Sequence, residues 1–350
     1  MTMTIEQLVA KAKADHASDI HLICGLPPKY RKDGQLENMD ETPLSASDCS
    51  AYARELAGTP ENYDIYLQTG ELDAAETYAG NRCRIHIFRQ QGMPSVALRL
   101  LSDRIPVLDT LGLPPAALKL PELHKGIVLV TGETGSGKST TLAALLDYIN
   151  HTRKAHIVTL EDPVEYIYKP DKCAINQREV GKDTMSFAAG LRASLREDPN
   201  VILIGEMRDR ETIETAITAA ETGHLVFGTL HTGSASDAVD RIVQVFPEGM
   251  QVQIRLQLSM CLQAVLTQQL IPKKTGGRAL ACEMMVVTDA IRNLIRNGNT
   301  PQIANAIATS AAIGGQTMDQ ALVRLVRSGQ ITRDMALTFS HEPDYVKKNA

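Results

Sequence analysis

The residues that point most directly to chemistry are Gly132-Glu133-Thr134-Gly135-Ser136-Gly137-Lys138-Ser139, which fill the pattern G-x-x-x-x-G-K-[ST] completely. The apolar run Gly126-Ile127-Val128-Leu129-Val130 leads into them, and a helical segment carrying Thr140 follows. Glycines at this spacing let successive backbone N–H groups face inward around a β-phosphate, and the helix start adds its positive end. Lys138 brings a cation to the β- and γ-phosphates, and the Ser139 hydroxyl is placed to ligate Mg²⁺. Residues 132–140 are therefore expected to bind a nucleoside triphosphate.

Hydrolysis needs a further group to orient water. Val201-Ile202-Leu203-Ile204-Gly205-Glu206 is an apolar strand ending in a carboxylate, at the edge where doubly wound sheets carry their ligands. The usual partner of such a loop is an Asp that organises Mg²⁺. Gly205 stands in that place, so Glu206 is assigned to the attacking water, with the metal left to Ser139, phosphates and waters. The plainer alternative is a solvated Glu capping a helix. Glu161-Asp162-Pro163-Val164-Glu165 is a second acidic cluster, where Pro163 turns the chain out of a strand. Glu161, Asp162 and Glu165 are candidates for the outer shell of the metal, and Glu165 is the reserve base; three acids cannot all be catalytic. His231 closes another strand at the same edge, where a neutral imidazole can read a γ-phosphate or simply be a satisfied strand-end His. His224, at the start of that strand, reads as structural. Arg82 and Arg84 share one strand face, opposite Ile85 and Ile87. Arg99 joins Arg84 if the intervening loop has an even number of residues. Such arginines are either fingers for a neighbour's phosphates or an exposed sheet face.

The elements that must position these groups fall into two parts, as 350 residues suggest. Residues 1–103 read as a small α+β domain: a helix opening at Thr4, a strand at Asp19–Ile23, a hairpin turn at Asp33-Gly34, and a second hairpin around 82–101. Residues 104–121, with Pro106, Pro114, Pro115 and Pro121, read as a linker. Residues 122–282 alternate short apolar strands with helices and predict an α/β fold with a buried parallel sheet; residues 283–350 read as helices. The charged fraction of 22% and the absence of any long apolar run exclude a disordered or membrane-spanning chain. The polar N-terminus lacks a secretory signal. A net charge of −5, no Trp and 4% aromatic residues argue against nucleic acid. Cys24, Cys49, Cys83, Cys173, Cys261 and Cys282 are scattered without a C-x-x-C pair, so no zinc and a reducing cytoplasm are expected.

Together these segments resemble the secretion and pilus-motor ATPases, and within them the type IV pilus retraction ATPases of the PilT family. The resemblance rests on SDIHL-x-x-GLPP-x-x-R-x-DG at 18–34, NRCRIHIFRQ-x-G at 81–92, GETGSGKSTT, EDPVEY, LREDPNVILIGEMRDRETI, GHLVFGTLHT, AIRNLIR at 290–296 and GGQTMDQAL at 314–322. It implies a PAS-like N-terminal domain, a RecA-like P-loop ATPase domain with a helical C-terminal part, and a homohexameric ring binding ATP and Mg²⁺ at the domain boundaries. It carries the catalytic Glu onto Glu206, the acidic box onto Glu161, Asp162 and Glu165, and the histidine box onto His224 and His231. Arg84 and Arg99 become the arginines that reach nucleotide, and a glycine before the glutamate is usual in this family. The implied function is ATP-driven pilus retraction, with an inner-membrane platform protein and the pilus machinery as partners, at the cytoplasmic face of the inner membrane. Assembly and secretion ATPases usually add a longer N-terminal extension and a four-cysteine zinc insert, which favours retraction over pilus assembly or type II/IV secretion here. A non-hydrolysing accessory of another motor is the remaining alternative, and Glu206 argues against it. Ile291, Leu294 and Ile295 form an apolar stripe at helical spacing; Arg292 and Arg296 are like-charged i, i+4 neighbours. An acidic partner or a role outside the subunit would offset their repulsion, and the resemblance links this motif to retraction.

Overall fold

A computed structural model describes residues 3–32, 35–101 and 104–350. The chain divides into two compact units, Met1–Ile105 with Pro163–Ile167, and Pro106–Asp162 with Tyr168–Ala350.

In the first unit, helix α1 (Ile5–Ala14) starts where Thr4 and Gln7 cap each other's backbone, and it buries Ile5, Leu8, Val9 and Ala12. Strands β1 (Asp19–Ile23), β2 (Lys29–Lys32) and β3 (Gln35–Asn38) come next, then helices α2 (Ala46–Leu56) and α3 (Pro60–Thr69). Strands β4 (Glu71–Tyr78), β5 (Asn81–Gln90) and β6 (Met93–Leu100) complete the unit. The turn expected at Asp33-Gly34 lies outside the described residues, although β2 and β3 pair antiparallel on either side of it. The strands form one antiparallel sheet in the order β3-β2-β1-β6-β5-β4. One sheet face is apolar: Ile20, Leu22, Ile85, Ile87, Val96 and Leu98 join the helices in a single core. Cys83 is fully buried in it, and burial pushes its thiol up to about 11, so it acts as a small apolar residue.

The second unit begins inside the expected linker. From Pro106 onward the proline-rich segment belongs to this unit; two 3₁₀ turns, Leu108–Thr110 and Ala117–Glu122, pack on the helix after the phosphate loop and bury Leu108, Ala117, Leu120 and Pro121. Four buried residues give this stretch a fixed place that a spacer lacks. Beyond it come β7 (Gly126–Thr131), α4 (Lys138–Thr152), β8 (His156–Glu161), β9 (Ala174–Glu179), α5 (Phe187–Ser194), β10 (Val201–Ile204), α6 (Arg210–Glu221) and β11 (Leu225–Leu230). Helices α7 (Ala235–Gln244) and α8 (Glu248–Cys261) then lead into a long hairpin, β12 (Leu262–Pro272) and β13 (Arg278–Val286). The sheet order is β13-β12-β7-β11-β10-β8-β9, parallel throughout except for β13. Strands β7, β10 and β11 are buried at every position, as a parallel sheet covered on both faces requires. The sheet therefore continues past residue 283, where helices alone were expected. Helices α9 (Asp289–Asn297), α10 (Ile303–Ala308), α11 (Met318–Arg327), α12 (Arg333–Phe339) and α13 (Pro343–Asn349) close the chain. Among the described residues no helix is long and apolar enough to cross a membrane.

Candidate nucleotide and catalytic site

The phosphate loop joins the end of β7 to the start of α4, and one glycine in it admits no substitute. Gly132 has φ +138°, and a Cβ there would stand 2.4 Å from Gln268 O of β12 and 2.6 Å from Ser136 Oγ. The loop is thus pressed against the neighbouring strand, which sets its curvature. Lys138 Nζ folds back on the loop, donating to Gly132 O at 2.7 Å and to Glu133 O at 2.9 Å. Ser136 Oγ is buried without a hydrogen-bond partner, and a phosphate oxygen would supply one. Ser139 is exposed in the first turn of α4. Loop, lysine and orphaned hydroxyl all fit a polyphosphate.

Glu206 and His231 follow β10 and β11, so the parallel register of those strands delivers both to one edge beside β7. His231 Nε2 lies 3.1 Å from Glu206 Oε1, and Arg208 donates to the same oxygen. Glu206 is therefore not a solvated cap. They line a cleft of about 550 Å³ together with Thr134 of the phosphate loop and Arg241. His231 is held below its ordinary value by burial first, then by the charge of Lys138 and that of Arg208, with Glu206 pulling the other way. At neutral pH the ring is neutral, and facing a carboxylate its Nε2 carries the proton.

Gly205 owes its identity to crowding. Its N–H donates to Leu160 O of β8 at 2.8 Å, and an added Cβ would meet that oxygen at 3.0 Å and Glu161 Cα at 3.3 Å. An Asp at this strand end would require β8 to move.

The other candidates divide. Glu161 Oε1 accepts from Thr159 Oγ1 at 2.6 Å and from Gln177 Nε2 at 3.2 Å, bonds that tie it to its own sheet. Asp162 is exposed at the end of that strand, whereas Glu165 belongs to the first unit. Among the described residues no group of three or more His, Cys, Asp or Glu side chains could hold a metal ion. A hydroxyl, phosphates and water are the donor set Mg²⁺ prefers, so Ser139 beside the loop fits that ion without such a cluster. His224 bonds Ala219 O at 2.8 Å through Nδ1, which anchors the start of β11 as expected.

In the first unit Arg84 and Arg99 are direct cross-strand partners on one face. The connecting turn has two residues, Gln91 and Gly92, both left-handed, so the loop parity is even. Asp19 holds Arg99 through Nε at 2.9 Å and leaves its side chain 65% exposed. Arg82 points the same way but is engaged: its Nε donates to Val164 O at 3.1 Å.

Among the described residues Arg292 has no acidic partner, and its guanidinium is engaged. Its Nη1 donates to Ser259 O at 2.6 Å and Met260 O at 3.1 Å, the carbonyls that end α8. Arg296 is exposed and makes no ion pair among the described residues. Ile291 and Ile295 are buried in the core, with Leu294 packed against it.

Sequence reasoning missed Arg208 and Arg241. Arg208 sits two residues past Glu206, in a charged string where no single arginine stands out.

Comparison with known proteins agrees with this architecture. The family model described as type II/IV secretion system protein matches residues 1–336. The chain is 44% identical over 336 residues to the type IV pilus retractation ATPase PilT of Pseudomonas aeruginosa, covering 95% of this chain and 97% of that protein. It is 45% identical over 330 residues to the uncharacterized protein YggR of Escherichia coli, covering 94% and 100%. The crystal structure of the pilus retraction motor PilT with bound ADP matches with a TM-score of 0.92 at 44% identity, covering 99% of this chain and 100% of that one.

Proposed function

The chain belongs to the type II/IV secretion system protein family, and we propose that within it the protein is an ATP-hydrolysing motor that drives type IV pilus retraction. The observation that carries the enzymatic part is the Glu206–His231 contact of 3.1 Å in a cleft whose wall includes the phosphate loop. Retraction is the activity named for PilT of Pseudomonas aeruginosa and for the solved ADP-bound PilT motor, both similar to this chain along nearly its whole length.

Residues 132–140 cradle the phosphates, with Lys138 leaving its loop carbonyls for the β- and γ-phosphates. Mg²⁺, held by Ser139 and the phosphates, would supply charge neutralisation on the transferred group. Arg208 and His231 both engage Oε1 of Glu206, which leaves Oε2 to accept the proton of the attacking water. A neutral His231 donates through Nε2 and keeps that carboxylate in one orientation. Glu161, Asp162 and Glu165 are the acidic-box groups that would support the outer shell.

In this reading the first unit is PAS-like, the second RecA-like, and six copies form a ring. Arg84 and Arg99 act as fingers across a subunit boundary. The ring works at the cytoplasmic face of the inner membrane on the platform protein and pilus machinery, without nucleic acid and without zinc. Two experiments test the proposal. Glu206→Gln should bind ATP and lose most Mg²⁺-dependent turnover; near-normal turnover would move the base to Glu165. A strain lacking the chain should carry excess pili, whereas bald cells would assign it to assembly.

A further inference from the structure

The string GGQTMDQAL at 314–322 has no part in the phosphate site, and its first three residues wall a separate cleft of about 650 Å³ in the second unit. The proline-rich segment before β7 and the open end of the β12–β13 hairpin supply the rest of the wall. Contacts within the fold set its shape. Gln316 pairs with Met284 of β13 through both backbone bonds, at 2.8 and 3.1 Å, and its Nε2 donates to Cys282 O at 2.8 Å. Gly314 has φ +90°, and a Cβ there would stand 2.5 Å from Ala116 Cβ, so the glycine turn touches the proline-rich segment directly. The cleft is formed before any ligand arrives, as binding pockets usually are.

The chemistry of its lining is one-sided. Pro114, Leu120, Ala264 and Val286 give it apolar surface. Its charged groups are Lys119 and Arg324, and no Asp or Glu is among its described lining residues, in a chain with 41 acids against 36 bases. Both cations are exposed, and neither side chain makes a hydrogen bond or ion pair among the described residues. The other two polar side chains are engaged: Gln316 on Cys282 O, and Gln263 Oε1 facing Arg292 Nη2 at 3.5 Å. Apolar walls with two unpaired cations and no acid fit an anion that carries hydrocarbon. A peptide would bring an N–H and a C=O at every residue, each needing a partner; an acyl chain brings none.

We infer that this cleft binds a free single-chain amphiphile with a phosphate head, its acyl chain along Leu120, Ala264 and Val286 and its phosphate on Lys119 and Arg324. A bilayer lipid shares that chemistry, but a cleft of this volume takes one molecule and not a leaflet. The inference stands apart from the motor reading and uses none of the nucleotide residues.

Calorimetric titration of the full chain with lauroyl lysophosphatidic acid, below its micellar concentration, tests it. Lauroyl lysophosphatidylcholine keeps the chain and adds a compensating cation, and glycerol 3-phosphate keeps the head alone. The wild type should bind the anionic lipid about tenfold tighter than the zwitterion, the worth of two exposed ion pairs. It should bind glycerol 3-phosphate roughly a hundredfold more weakly even if only about four methylenes are buried. Lys119→Gln with Arg324→Gln should lose about tenfold for the anionic lipid and leave the zwitterion unchanged. Ala312→Trp, at an exposed lining position, should weaken both lipids at an unchanged melting temperature. Equal wild-type affinities for the two lipids would overturn the site. So would an unchanged affinity for the anionic lipid in the charge variant, which alters only exposed side chains, or in Ala312→Trp. Glycerol 3-phosphate binding as tightly as the lipid would leave an anion site without a chain and overturn the proposal as well. Flotation with phosphatidylglycerol vesicles separates the sources: capture by vesicles without binding of the monomeric lipid would assign a membrane surface and overturn the free ligand.

Discussion

Replacing Arg292 and Arg296 one at a time should separate a packing role from a coupling role within α9. The two side chains are one turn apart, yet Arg292 spans to the end of α8 and Arg296 faces solvent. The last carbonyls of a helix lack intrahelical donors and carry the negative end of its dipole. Arg292 Nη1 serves two of them, Ser259 O and Met260 O, and Nη2 lies 3.5 Å from Gln263 Oε1. Removing a charged donor from such a site costs about 1.5–3 kcal/mol, and the dipole term adds about 0.3–1 kcal/mol. Water can reach Met260, which is exposed, but Ser259 is fully buried, so roughly 2–3 kcal/mol is expected for Arg292→Ala. At about 2–4 °C per kcal/mol for a unit of this size, the melting temperature falls by roughly 4–12 °C. Arg296→Ala should stay within about 0.5 kcal/mol of the wild type. Differential scanning calorimetry reads both. An Arg292→Ala melting curve indistinguishable from that of Arg296→Ala would refute the capping argument. Arg296→Ala then becomes the cleaner probe of coupling: turnover and melting preserved, pili extended, retraction lost. Cells that retract normally would end the coupling role, and a double variant cannot serve because its α8 is already compromised.

Four further outcomes follow from the geometry. In a histidine NMR titration, Arg208→Ala should raise the His231 value, since that charge depresses it, and Glu206→Gln should lower it further; no movement in either would dissolve the pair of contacts to Glu206. Because the folded value lies below 6.5, His231 contributes stability that is present above that pH and is lost as pH falls from 6.5 through the folded value, so wild-type denaturation midpoints should drop in acid more than those of His231→Gln. Gly205→Ala places a Cβ 3.0 Å from Leu160 O, backbone that cannot rotate aside, and about 1–3 kcal/mol should be lost in chemical denaturation; an unchanged midpoint would show that the end of β8 yields. Arg84→Ala and Arg99→Ala should each cut turnover without unfolding the chain, and mixing either with Glu206→Gln should partly restore it; unchanged rates would leave only an exposed sheet face.

The parallel strands and the phosphate loop were legible because burial on both faces leaves uninterrupted apolar runs, and because the loop tolerates few residues at its glycines. The β12–β13 hairpin was not. Thr267 and Gln268 are fully buried in β12, where Thr131 Oγ1 meets Thr267 Oγ1 at 2.8 Å and Gln268 Nε2 meets Thr141 Oγ1 at 2.8 Å. Polar residues satisfied by long-range partners look in sequence like a surface segment, and only the fold supplies the partners. The same reason hid the partner of Arg292: backbone carbonyls leave no mark in residue types. Pro114 and Pro115 suggested a spacer, yet proline also stiffens a packed segment, and what decides between the two is whether neighbours such as Leu108 and Leu120 find a surface.

Gly205, Glu206 and His231 are best understood as one arrangement. The end of β8 leaves no room for a side chain at 205, so the acid moves one residue beyond the strand. A carboxylate on a strand is fixed by the sheet; one beyond it is fixed only by what it touches. Arg208 and His231 supply that fixation and both use Oε1; in the reading proposed above, Oε2 is the oxygen that accepts the proton. His231 belongs to the adjacent strand, so its distance from Glu206 depends on the β10–β11 register. A shear between those strands would alter that contact. The Glu206–His231 contact is therefore the part of the cleft most directly coupled to the β10–β11 pairing, whereas the phosphate loop is set by β7 and by Gln268 of β12.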